Sequence, residues 1–163
     1  MTNYRAILET LVGGQVKFIV IGGAAALAHG TARLTLDVDV VYARDPENIA
    51  RLARTMASHH PYLRGAPPGL PFRFDEKTIA HGLNFTLVSD LGDVDFLGEI
   101  AGGGDFEELR PHAVELAPYG VRCLCLGLPA LIRAKRAAGR PKDLEALAEL
   151  EALLAERERA RGE

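Results

Sequence analysis

The run FIVIGGAAALAHGTARLTLDVDVV, residues 18–41, puts two aspartates one residue apart in a stretch that otherwise has to be core. Its first four residues are β-branched or aromatic without polar interruption, which predicts a buried strand. Gly22 and Gly23 then turn the chain, and AAALAH is small and helix-prone. LTLDVDVVY alternates apolar and polar residues, the period of a second strand. Side chains alternate across a strand, so Asp37 and Asp39 project from one face, about 7 Å apart. Two carboxylates this close repel each other and resist desolvation, so they need positive charge between them. A hard divalent cation such as Mg2+ supplies it best, because one or two carboxylates, water and phosphate oxygens satisfy its coordination. Arg33 and Thr35 join the same polar face if the extended run begins early.

A third acidic residue is then expected on a neighbouring strand. NFTLVS and GDVDFLG are apolar runs separated by DLG, a hairpin signature, and the second carries Asp93 and Asp95 with same-face spacing. Asp95 lies deeper in the apolar run and is the stronger candidate; Asp93 is either a support for it or a strand-end residue. The Gly22–Gly23 turn before a helix of small residues lets backbone N–H groups approach an anion closely. It fits neither the GxGxxG dinucleotide fingerprint nor a P-loop, since no GK[ST] follows.

The rest of the chain reads as alternating elements. Residues 4–11 have the apolar spacing of a short helix stopped at Gly13 and Gly14, and PENIARLARTM places Ile49, Leu52, Ala53 and Met56 on one helical face. PYLRGAPPGLP, with four prolines and two glycines, is a loop that is either a lid facing substrate or an inert excursion. Gly102–Gly104 reads as a flexible connection, HAVELAPYGVRCLCLG as two short strands, and LPALIRAKRAAG and the segment from residue 141 onward as helices. In the last helix Leu144, Leu147, Leu150, Leu153 and Leu154 form a stripe expected to face the core. The fold class is therefore α/β (α+β): a mixed sheet flanked by helices over residues 1–126, closed by a helical extension over residues 127–163 that packs on it as one unit.

Composition limits the function. With 163 residues, 48% of them hydrophobic, the chain can bury a substantial core as one domain. A formal charge of -3 provides no global basic field for nucleic acid or anionic membranes, so such partners would have to be held locally. Cys123 and Cys125, the only cysteines, have no further ligands at metal-binding spacing and read as small buried hydrophobes. The histidines, at 29, 59, 60, 81 and 112, show no ligand spacing and are expected in surface or capping roles. No signal-peptide or membrane-spanning pattern is present, and the expected location is cytoplasmic.

The apolar residue before Gly22–Gly23, the short small-residue helix, GTARLTLDVDVV and the later GDVDFL together resemble the nucleotidyltransferase superfamily that shares the DNA polymerase β palm. They are most similar to its small prokaryotic members related to abortive-infection toxins. The resemblance spans roughly residues 16–155. It implies that Gly22 and Gly23 hold a nucleoside triphosphate, ATP foremost, and that Asp37, Asp39 and Asp95 bind two Mg2+ or Mn2+ ions and carry catalysis. It also implies transfer of a nucleotidyl group to an acceptor that is a small molecule, a tRNA or a protein. LIRAKRAAGRPKDLEAL is similar to the subgroup's lysine and GRxKD segment, which adds Lys135, Arg140, Lys142 and Asp143 to the nucleotide-binding set alongside Arg33 and Thr35. Ala24, Ala25 and Ala26 depart from family members with a hydroxyl after the glycines, so phosphate contact there would rest on backbone N–H groups. The alternative reading is a catalytically degenerate member of the same fold, acting as a toxin–antitoxin component or as a protein-binding module.

Overall fold

Strand β1 (Phe18–Ile21) is buried at all of its positions, so structure covers both of its alternating faces. The computed structural model describes residues 2–31 and 38–162 and places β1 inside a mixed sheet of seven strands. Chain order before and after it is α1 (Tyr4–Gly13), α2 (Gly22–His29), β2 (Val38–Tyr42), α3 (Pro46–Met56), β3 (Tyr62–Leu63), α4 (Glu76–His81), β4 (Phe85–Ser89) and β5 (Gly92–Leu97). There follow β6 (Glu99–Ile100), β7 (Gly104–Asp105), α5 (Phe106–Leu109), β8 (Ala113–Leu116), β9 (Cys123–Leu126), α6 (Leu128–Ala138) and α7 (Pro141–Gly162). The sheet order is β3-β4-β5-β2-β1-β9-β8, and β6 and β7 form a separate ribbon. β2 runs antiparallel to β1 and parallel to β5, while β1 runs parallel to β9. This is the α/β architecture expected from the sequence.

Local chemistry explains the element boundaries. Asn3 caps α1 by accepting from the Ala6 N–H, and Asp45 caps α3 in the same way through Asn48, with Pro46 in the first turn. Asn48 is fully buried: its Oδ1 accepts from the Lys17 N–H at 2.7 Å and its Nδ2 donates to the Lys17 and Ala43 carbonyls. One side chain thus ties the start of β1 to the end of β2. The β4–β5 hairpin forms across DLG as expected, with Ser89 opposite Gly92. On the apolar face of the sheet, Phe74 stacks on Phe96 and meets Phe85 edge-on.

Several expectations are corrected. The glycines at 102–104 are not a loose connection but the tight turn of the β6–β7 ribbon, with Gly102 at φ +73 and Gly104 at φ +87. The loop after β3 wraps Tyr62, whose hydroxyl donates to the Pro67 carbonyl and accepts from the Leu70 N–H. Leu144 does not share the buried stripe of α7: Leu147 and Leu150 are buried, but Leu144 is 54% exposed. α7 packs along α6, which packs on α2, and Leu144 lies on the side of α7 turned away.

His29 is also not a surface residue. It is buried at the end of α2, its Nε2 lies 2.8 Å from the Leu126 carbonyl, and Arg157 of α7 lies 2.9 Å from its Nδ1. A guanidinium can only donate, so Nδ1 accepts and Nε2 carries the proton to the carbonyl. A second Arg157 bond, to the His29 carbonyl, completes the fastening of α7 to α2. Burial depresses the His29 pKa, the Leu126 carbonyl offsets part of this, and the Arg157 charge lowers it further. Below the ordinary histidine value of about 6.5 the unfolded chain binds a proton that the folded chain refuses, so stability falls as pH drops. Thermal melts from about pH 7.5 to about pH 5.5 should show a larger loss for the natural chain than for His29→Gln, which keeps the donor and acceptor but cannot titrate.

Candidate active site

β2 and β5 meet in parallel with Asp39 directly opposite Asp95. Their neighbours Val38, Val40, Val94 and Phe96 fill the other face and are fully buried, which forces both carboxylates onto the half-open face. Ile21, the last residue of β1, pairs with Asp39, so the turn into α2 begins beside the carboxylates. Gly22 opens α2 at φ +63, and a Cβ built on it would lie 2.5 Å from Asp39 Oδ2. Only a glycine allows both the backbone angle and this approach. No described side chain caps the N-terminus of α2, and its first residue, Gly22, lines a cavity beside Asp39.

This cavity, of about 380 Å³, is lined by Gly22, Asp39 and Asp95. Ile21, Leu97, Ile100, Leu131 and Ala134 form apolar walls, and Lys135, Arg140 and Lys142 bring cations from α6 and the start of α7. Asp143 organises these cations. Its side chain has no exposed surface, takes Arg140 Nε at 2.6 Å and Lys135 Nζ at 3.2 Å, and accepts from the Arg140 backbone N–H. Burial would raise the Asp143 pKa, but the hydrogen bonds and charges of Arg140 and Lys135 together bring it below its ordinary value.

The fold therefore gathers Gly22, Asp39, Asp95, Lys135, Arg140, Lys142 and Asp143, from three separated parts of the sequence, around one cavity. Gly23 lies one residue further along α2 and is not among the described residues lining it. Asp37, Arg33 and Thr35 lie outside the described residues. None of the described cavity residues comes from the proline-rich loop at 61–71.

Three residues escape the sequence reading. Asn84 lines the cavity and accepts from the Gly98 N–H at 2.8 Å, and Glu99 lines it from β6. Arg64, just beyond β3, reaches across β4 to Asp95 Oδ1 at 2.8 Å and lies 3.4 Å from Asp93 Oδ2. The signal was present in the rule that two same-face carboxylates need a cation: applied to Asp93 and Asp95, it requires one. The identity of that cation depends on strand order, which single-sequence reasoning does not supply.

The donor chemistry fits a hard divalent ion. Asp39 and Asp95 are cross-strand partners on one face, and the absence of a Gly22 side chain makes room for the Asp39 carboxylate beside the start of α2. Among the described residues no group of three or more acidic, histidine or cysteine side chains converges.

The mixed seven-stranded sheet flanked by helices matches the fold of a nucleotidyltransferase-like structural neighbour. Among solved structures, the chain is similar to a Thermotoga maritima protein described as a "putative nucleotidyltransferase", with a TM-score of 0.56 and 18% identity over 90% of this chain and 88% of the other. No family model and no curated protein matches the chain. No helix among the described residues is long and apolar enough to cross a membrane.

Gly22→Ala should destabilise the fold by about 1–2 kcal/mol through the left-handed backbone alone, and the displaced Asp39 adds to this; thermal melting measures the loss. Asp143→Asn leaves two cations without their buried counter-charge and should cost about 2 kcal/mol, a fall in Tm of roughly 4–8 °C for a chain of this size. The loss should shrink as pH falls toward the carboxylate range, because the natural Asp143 loses its own stabilising charge there. A loss that stayed constant with pH would show that the ion pairs do not contribute.

Proposed function

We propose that the chain is a metal-dependent nucleotidyltransferase that moves a nucleotidyl group from a nucleoside triphosphate, ATP foremost, to an acceptor oxygen. The observation that carries this reading is the lining of one cavity by the Asp39–Asp95 pair, by Gly22 at the start of α2 and by Lys135, Arg140 and Lys142. A triphosphate has the length and charge to span such an arrangement, and the apolar walls between suit a base or ribose. In the reaction the acceptor oxygen bonds to the α-phosphorus while the α–β phosphoanhydride breaks. Pyrophosphate departs with the bonding electrons and the acceptor's proton passes to solvent. Mg2+ or Mn2+ held by Asp39 and Asp95, with Asp37 as the expected third ligand, would polarise the phosphate oxygens and activate the acceptor.

This chain's own residues do the rest. The α2 N–H groups and the Lys135 and Arg140 cations bind and orient phosphate, and Asp143 keeps those two cations in place. The acceptor class remains as the resemblance implies: a small molecule, a tRNA or a protein hydroxyl. Thermal unfolding with each of the four nucleoside triphosphates, with and without Mg2+ or Mn2+, tests the reading. Ligand at a hundredfold over its Kd adds about 2.7 kcal/mol; the resulting shift of several degrees should need metal and vanish in Asp39→Asn and Asp95→Asn. Absence of any shift with all four nucleotides would favour the degenerate, partner-binding alternative.

A further inference from the structure

Arg64 bonds Asp95 from the β4 side of β5. Its backbone N–H extends the β3–β4 pairing by donating to the Thr86 carbonyl at 3.0 Å, and Gly65, at φ +81, turns the chain away immediately afterwards. The side chain crosses β4, where Thr86 is the cross-strand partner of Asp95, and NH2 donates to both the Leu87 carbonyl and Asp95 Oδ1 at 2.8 Å. Asp39 lies on the opposite side of β5, across the β2 pairing. Asp95 lines the cavity whereas Arg64 does not. Arg64 thus reaches Asp95 from the β4 side of β5, while Asp39 pairs with Asp95 on the β2 side.

Charge balance decides what such a cation does. Lone Arg64 beside Asp95 would oppose the binding of a second cation, but Asp93 at 3.4 Å supplies a compensating negative charge. The Asp93, Arg64 and Asp95 side chains carry the net charge of a single carboxylate. The charge-assisted bond to Oδ1, shared with a backbone carbonyl anchor, holds that oxygen on the β4 side and so sets the orientation of the Asp95 carboxylate.

We propose that Arg64, balanced by Asp93, is a positioning residue that holds Asp95 turned toward Asp39 to receive a divalent cation. The inference rests on the metal-site reading given above. It requires that Arg64 remain in place when the cation binds.

The decisive variant is Arg64→Gln/Asp93→Asn, because it removes one positive and one negative charge and so leaves the net charge of the site unchanged. Calorimetric titration of the full chain with Mn2+ alone should show binding to the natural protein that is lost in Asp39→Asn. The double variant should bind Mn2+ about tenfold more weakly, the low end of what lost support of a metal ligand costs. Arg64→Lys, which keeps the charge but not the forked geometry, should also bind more weakly, and it serves where the double variant melts early. Equal or tighter Mn2+ binding in either variant would overturn the positioning role while leaving the metal site standing. Absence of Asp39-dependent Mn2+ binding in the natural protein would overturn both.

Discussion

The pairing of β2 with β5 in parallel, with Asp39 opposite Asp95, is the constraint around which the molecule is organised. A slip of one residue by either strand would turn its carboxylate into the apolar layer held by Val38, Val40, Val94 and Phe96, so the hydrophobic pattern and the polar face enforce the same register. The antiparallel pairing of β1 with β2 then sets Ile21 beside Asp39 and delivers the glycine turn there. Gly22 is specified twice, by its positive φ and by the carboxylate oxygen that occupies the space of a side chain.

Concentrating acidic groups on one sheet face costs stability, and the structure offsets that cost with fixed cations rather than with solvent alone. Arg64 serves Asp93 and Asp95 from one edge, while Lys135 and Arg140 are themselves held by the buried Asp143 on the other side of the cavity. The two arrangements are complementary: carboxylates steadied by an arginine face cations steadied by a carboxylate. Away from the site, Asn48 and His29 play the equivalent role for the scaffold, each joining separate elements through satisfied buried hydrogen bonds.

Much of this was legible in the sequence. β1, the β4–β5 hairpin, α3 and the C-terminal helices follow from periodicity, capping residues and turn chemistry, all of which act within a few residues. The same local signals marked Asp39, Asp95 and Gly22, because same-face carboxylates in an apolar run and glycines at a strand end are rarely neutral choices. The readings that failed were those that depend on what lies across space. Leu144 matched the helical stripe but faces away from α6, His29 looked like an isolated polar residue until Arg157 arrived from 128 positions along the chain, and Gly102–Gly104 looked loose although it closes a ribbon.

Taken alone, the sequence determined the α/β class, the candidate carboxylates and the glycine turn, since alternation along a strand and backbone freedom at glycine are properties of short segments. Only the tertiary structure decided that Asp39 and Asp95 are neighbours, that the cations of α6 and α7 close the same cavity, and that Arg64 attends Asp95. Those facts depend on strand order and helix packing, which arise from the competition of many distant contacts for one core.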